Sequence, residues 1–356
     1  MAEKLLISEK PKRIYSIEFL RIFFVFFIIL GHIMSMYSDV QVNILNFFHT
    51  QEMHTWFGVE FFFIIGGFFL YNRVKSMQYP TKIIKNLYIR LAPALIFVFL
   101  TCFLFGSKNP GLYIARLPLI ATLTAGIGLP GEATGWGDWY VSTYFWCSLL
   151  YIGIFYAGYK KAFLWVCVLI YLTVCLKFHA PYKWMGTYFD IICTDLVRGI
   201  YSMGLGIITA YLCEKVNIVK KVGTRLFFTV VEFYLLFNVF NYIARSSISQ
   251  FTFWEIELIF ACLMICMVHS LGYITELFNK FSFINFFSKY VYQIFLCHII
   301  CFAVLWSHNH YNLPGITCAS IIFSGAIILG VFEYHVIEKK LVPWLLNYFS
   351  KDVSTK

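Results

Sequence analysis

Charge is scarce in this chain. Of its 356 residues only 28 are Lys or Arg and 18 are Asp or Glu, 13% together, where a soluble domain carries about 25%. Beside 60% hydrophobic residues, 21% aromatic residues and a mean hydropathy of +0.74, that deficit excludes an ordinary soluble protein. The composition is that of a polytopic membrane protein. It also removes nucleic acid as a partner: the net charge of +10 reads as cytoplasmic loops obeying the positive-inside bias. A cleavage signal is missing too. The first 13 residues, MAEKLLISEKPKR, are polar and mixed in charge, and no A-x-A site follows the apolar run behind them. That run is expected to stay as the first transmembrane helix. No internal repeat and no second domain is visible. Cysteine is not scarce, but its 11 copies lie almost wholly in apolar runs. The i,i+4 pairs Cys262/Cys266 and Cys297/Cys301 read as small residues packed between helices, not as metal ligands.

The expected fold is all-α, with about ten transmembrane helices near 15–35, 54–72, 88–106, 138–158, 162–177, 193–213, 226–243, 252–271, 290–307 and 315–336. The stretch from Ser107 to Gly137 holds Pro110, Pro118, Pro130 and six glycines, so it reads as a long loop with a short interfacial helix. With the N-terminus inside, the inner segments hold 21 Lys and Arg and the outer ones five (Lys108, Arg116, Lys177, Lys183 and Arg245), leaving Arg21 and Arg198 within spans. This split puts both termini in the cytoplasm. The domain organisation is a cytoplasmic segment over 1–13, one transmembrane domain over 14–345 and a cytoplasmic tail over 346–356.

Charged groups inside spans cost about 2.5–3.5 kcal/mol each on insertion scales, so they are where chemistry is sought first. Here they are Glu18, Arg21, His32, Glu60, Arg198, Glu232, Glu255, Glu257, His269, His298, Glu333 and His335. Arg21 and His32 are eleven positions apart: three turns plus roughly 20°, on one face and about 16 Å apart along the axis. Glu18 joins the same face three residues earlier. Such a stripe faces a protein interior or a watery passage. Glu60 needs a partner, Asp195 stands one turn before Arg198, and Gly66 and Gly67 remove side chains where another backbone approaches. The loop NRVKSMQYPTKIIKNLYIRLAP carries five cations and no acid, which controls topology or holds a polyanion. At its end Arg90, just before Pro93, offers a phosphate two parallel hydrogen bonds.

Seven stretches in order resemble one family. SIEFLRIFFVFFIILGH has acidic-x-Leu-Arg with a histidine eleven residues on. WFGVEFFFIIGGFFL follows G-V-[DE]-x-F-F-x-x-S-G-F-x-L, with Gly66 in place of the serine. YIRLAP, GDWYVSTYFWCSLLY, RGIYSMGLGIITAY, SKYVYQIFLCHII and YHVIEKKLVPW follow in turn. Over about residues 14 to 345 the chain resembles acyltransferase family 3, the integral-membrane, acyl-CoA-dependent O-acyltransferases of cell-surface glycans. One departure is plain: Leu87 stands where the family often has the first arginine of R-x-x-R, leaving Arg90, with Lys85 nearby.

The resemblance implies an acyl-CoA:glycan O-acyltransferase with His32 as base or acyl carrier, joined by Glu338 and Glu60. It implies Arg21, Lys85 and Arg90 at the donor, and Trp139 and Tyr140, within an outer aromatic segment, at the acceptor. Arg198, His298, Glu18 and Glu333 remain further candidates, Glu333 competing with Glu338 for the acidic role. An imidazole suits acyl transfer because it exchanges protons near neutral pH. Acyl-CoA, acetyl-CoA first, is then the donor substrate, with no metal and no permanently bound cofactor. The partners are a glycan or lipid-linked glycan acceptor, membrane lipids and, as an admissible assembly, a second copy in a homodimer. The expected location is a bacterial cytoplasmic membrane. A transporter or flippase for a lipid-linked sugar or small anion is the competing class, because polar residues at depth serve it too.

Overall fold

The computed structural model describes residues 13–50, 52–76, 79–106, 110–125, 127, 137–157, 162–178, 187–188, 192–216, 218–219, 221–244, 250–307 and 313–351. Helices dominate: α1 (Tyr15–Met36), α2 (Ser38–Phe47), α3 (Phe57–Ser76), α4 (Pro80–Gly106), α5 (Pro110–Ala121), α6 (Asp138–Tyr156), α7 (Phe163–Phe178) and α8 (Thr194–Lys215). They continue with α9 (Val222–Ile243), α10 (Gln250–His269), α11 (Tyr273–Lys280), α12 (Ile284–Ser288), α13 (Val291–Ser307) and α14 (Gly315–Glu333). A π-helical turn, Tyr334–Leu341, leads into α15 (Val342–Lys351). Among the described residues the strands are two short ones, β1 (Thr187–Tyr188) and β2 (Ile192–Cys193), paired antiparallel.

Every one of the ten expected segments is helical, but fewer than ten are span candidates by length and composition. Among the described residues six helices are long and apolar enough to cross a membrane: α1, α3, α4, α8, α9 and the run from Gly315 to Phe349. The pair α10–α11 makes a seventh if it is one span, and it is bent by 62°. Ser270 takes a left-handed backbone (φ 47°) at that break. The other three segments fall short for physical reasons. The serines, threonine and tyrosines of α6 lower its hydropathy. α7, with 16 residues, and α13, with 17, stand at the lower end of the roughly 17–25 residues of a crossing. The 107–137 stretch contains a helix, α5, and the first residues of the expected tail, to Lys351, are helical.

The centre of the bundle is the pair α3 and α8, 78% and 72% buried over their apolar windows. Small residues permit it. A β-carbon on Gly67 would lie 2.0 Å from the Met203 carbonyl oxygen, and one on Gly206 would lie 2.0 Å from that of Ile64. The outer helices turn apolar side chains outward, such as Phe227, Val230, Phe233 and Phe237 on α9, as a lipid environment demands.

Several costly polar residues close this frame. Glu232 of α9 caps the start of α11, accepting from the backbone N–H of Gly272 (2.8 Å), Ile274 (3.1 Å) and Thr275 (3.1 Å) and from the Thr275 hydroxyl (2.5 Å). These are donors a helix N-terminus otherwise leaves unsatisfied. Tyr242 donates to Glu255, Ser202 to Glu257, and His269 bonds the Cys213 carbonyl. Asn279 accepts from the Ser16 N–H at 2.8 Å and so ties the start of α1 to α11.

Forcing a side chain into the α3–α8 contact overpacks it at a cost of about 1–3 kcal/mol or more. Gly206→Leu is therefore expected to lower the thermal unfolding midpoint in detergent by several degrees and to broaden the size-exclusion peak. Gly153→Ala, where nothing lies within 4 Å of an added β-carbon, is expected to behave as the parent.

Candidate active site

Near the end of α1, His32 meets His298, which α13 carries to it. The imidazoles stack, with centroids 5.4 Å apart and planes 14° apart. Phe302, one turn beyond His298, meets both rings edge-on at 6.4 and 5.9 Å. His298 is fully buried and His32 half-buried, so the outer face of the pair is the His32 side. The Nδ1 of His298 is bonded to the carbonyl of Phe295, one turn back. A carbonyl only accepts, so Nδ1 carries the hydrogen and, in the neutral ring, Nε2 keeps the lone pair. That nitrogen is buried without a hydrogen-bond partner. The pair thus combines an imidazole that substrate can reach with a second one held in a fixed tautomer behind it.

From the pair a file of aromatic rings runs toward the basic end of the bundle. Phe295 lies 5.6 Å from His298 and 5.6 Å from Tyr140, and Tyr140 stacks on Tyr144 at 6.3 Å. Arg73, Arg21 and Arg90 lie within electrostatic range of the Tyr144 hydroxyl. Tyr292 stands among Glu333, Tyr140, Glu338 and Tyr144. Tyr140, Tyr144 and Tyr292 are half-buried. Gly66 makes room for this file: a β-carbon there would lie 2.4 Å from the Tyr144 ring.

The candidate residues divide among these surroundings. Arg21 pairs with Glu18 at 2.8 Å, on one face as helical arithmetic predicts. Arg90 is exposed at the basic end and faces Glu338, which sits on the π-helical turn. Such turns are frequent at functional sites. Glu333 is fully buried, and neither of its carboxylate oxygens has a hydrogen-bond partner. Lys85 is committed elsewhere: its ammonium donates to the Phe349 carbonyl at 2.7 Å and lies over that ring.

A second buried cluster takes up Glu60 and Arg198. The Arg198 Nε and Nη2 donate to the same Glu60 oxygen at 2.8 and 2.5 Å, and Asp195 lies 3.6 Å from Nη1. The guanidinium sits over Trp139 at 5.1 Å and Trp56 at 5.9 Å. Glu60 therefore binds α3 to α8. Trp139 is buried with one ring face on Arg198, and Tyr140 is wedged beside Phe63 at 4.8 Å, so both rings face into the bundle. Trp136, the other aromatic of that segment, lies outside the described residues.

Sequence reasoning passed over Tyr144 and Tyr292, and read Arg73 only as one of the five cations of its loop. The signal for one of them was present: Tyr144 shares a helix face with Tyr140 at i,i+4. Nothing in the spacing links them to Tyr292, about 150 residues away, or to Arg73.

Residues 14–333, nearly the whole chain, match the family model of the acyltransferase domain of acyltransferase family 3. No curated protein and no solved structure gives a significant match.

Removing one partner of a buried ion pair strands the other charge and costs about 3–5 kcal/mol, whereas removing both together costs much less. Arg198→Met and Glu60→Gln are each expected to lower the unfolding midpoint strongly, and the double variant to recover part of the loss. A double-mutant cycle on thermal unfolding measures the coupling; strict additivity would contradict the pairing.

Proposed function

The chain belongs to acyltransferase family 3, and on that premise we propose that it transfers an acyl group, acetyl first, from acyl-CoA to a hydroxyl of a cell-surface or lipid-linked glycan. The observation that carries the reading is the His32–His298 stack at the inner end of a tyrosine-lined file that starts among three arginines. Acyl-CoA needs that combination: cations for its phosphates, a narrow route for the pantetheine arm, and a base where the thioester arrives. Transport of an anion or a lipid-linked sugar would account for polar residues at depth, but not for the stacked imidazoles.

Arg90, Arg21 and Arg73 hold the donor phosphates at the basic end, with Glu338 orienting Arg90. Lys85 contributes only to the charge of the rim. The roughly 16 Å between Arg21 and His32 along α1 is the distance the pantetheine arm covers. His32 takes the proton of the acceptor hydroxyl as its oxygen bonds to the thioester carbon. The tetrahedral intermediate then breaks the carbon–sulfur bond, and the proton passes from His32 to the departing thiolate. In the stepwise variant the imidazole nitrogen of His32 bonds to the acyl carbon as the carbon–sulfur bond breaks, the ring's N–H proton leaving with the thiolate; the hydroxyl oxygen then displaces the imidazole from the acyl carbon and returns its proton to the ring. His298 positions His32 by stacking in either case. Glu60 acts through the α3–α8 frame, as does Trp139, whose ring lies against the Arg198 guanidinium. The basic end faces the cytoplasm, where both termini lie, and the acceptor approaches from the opposite end.

With radiolabelled acetyl-CoA and purified glycan, His32→Ala is expected to lower transfer by at least 10²-fold without a change in the unfolding midpoint. Undiminished transfer would remove His32 from the chemistry. Arg90→Ala is expected to raise the KM for acetyl-CoA about tenfold or more and leave kcat within a few-fold. The same variant and the parent should use acetyl-pantetheine, which lacks the phosphates, equally well. An equal loss with both donors would place Arg90 outside phosphate recognition.

A further inference from the structure

Beyond the histidine pair, away from the basic end, lies a cavity of about 290 Å³. Met36 of α1, Leu95, Val98, Phe99 and Cys102 of α4, and Ile299, Phe302, Ala303 and Trp306 of α13 form most of its wall. Among the described residues of its wall none is cationic, and Asp138 is the one charged group. Three features tie it to the reaction site. Phe302 borders the cavity and touches both imidazoles. Met36 and Ile299 continue the helices of His32 and His298, one turn and one residue further on. The α4 residues of the wall follow Arg90 by successive turns, from Leu95 to Gly106.

The cavity therefore prolongs the ring file that runs from the arginines through Tyr144, Tyr140 and Phe295 to the histidines. A donor threaded along that file with its phosphates at Arg90 and its thioester at His32 projects whatever follows the carbonyl in the same direction. An acetyl group ends there. A longer alkyl chain enters the cavity. An apolar cavity of about 150 Å³ stays dry and takes up a benzene; twice that space holds a chain of up to about ten carbons. A wall without cations is unsuited to phosphates, and a whole polyprenyl lipid far exceeds the volume.

We propose that this cavity is an acyl-chain pocket, and that the protein transfers apolar acyl groups of about four to eight carbons as well as acetyl. The proposal rests on the reading of the protein as an acyl-CoA transferase. Val98 is buried in the wall and touches neither histidine in the contacts described above, so Val98→Phe fills the cavity from the side away from the chemistry.

The experiment uses the full chain in lipid nanodiscs and the unreactive thioethers S-ethyl-CoA and S-hexyl-CoA, with affinity measured by calorimetry. Four extra methylenes entering apolar surroundings are expected to tighten binding at least tenfold. Val98→Phe should abolish that difference and leave S-ethyl-CoA binding within threefold of the parent. Equal affinity for the two thioethers in the parent, as a lipid chain resident in the cavity would produce, overturns the pocket while leaving the donor reading intact. So does a hexyl preference that survives Val98→Phe. Absence of binding by either thioether overturns the donor reading and the pocket with it. In parallel, transfer from acetyl-, butyryl-, hexanoyl- and octanoyl-CoA is expected to fall off with chain length at least tenfold more steeply in Val98→Phe than in the parent. Parallel profiles also overturn the proposal.

Discussion

A polar group inside an apolar helix must find its partner within the protein, because hydrocarbon offers none. That constraint organises this bundle. It turns the Glu18–Arg21–His32 face of α1 inward and draws Arg198 of α8 onto Glu60 of α3. It also brings the Glu232 carboxylate to the start of α11. Each of these contacts joins two elements or fixes one face, and together they determine which helices surround the space between α1, α13, α4 and α6. The α3–α8 pair, brought into backbone contact by its glycines, provides the rigid wall on which the rest is assembled.

The constraint acts locally and at a distance, and only the local part is legible in sequence. Glu18 with Arg21, and Asp195 with Arg198, follow from i,i+3 spacing and are found in contact. The partner of Glu60 lies 138 positions away, and no periodicity identifies it. His298 was a candidate in its own right, but its stacking on His32 depends on how α13 crosses α1. Apolar runs mark helices well, since all ten expected segments are helical, but they overcount span candidates. An interior helix such as α6 tolerates serines and tyrosines that a lipid-facing helix would exclude. Lys85 illustrates the same limit for charge. Its sequence position suits an anion, yet the end of α15 folds back and takes its ammonium.

The interior that results is asymmetric. One end of the ring file carries three guanidinium groups and the hydroxyls of tyrosines; the other, past Phe302, is almost wholly apolar. A ligand that is anionic at one end and apolar at the other can occupy such a path in only one direction. Reversal would bury phosphates against Leu95 and Val98 and bring alkyl groups among arginines, losing favourable contacts at both ends. On the proposed reaction, this polarity selects the donor's orientation before any contact at the thioester is made. It leaves the histidine pair a single task, the proton or acyl transfer at the junction. His298 contributes to that task through a tautomer fixed by its own helix, since the Phe295 carbonyl holds the hydrogen on Nδ1 whatever occupies the path. On that proposal the ring stacked against His32 presents the same face while the reactive imidazole changes its protonation or bonding, and its support need not rearrange.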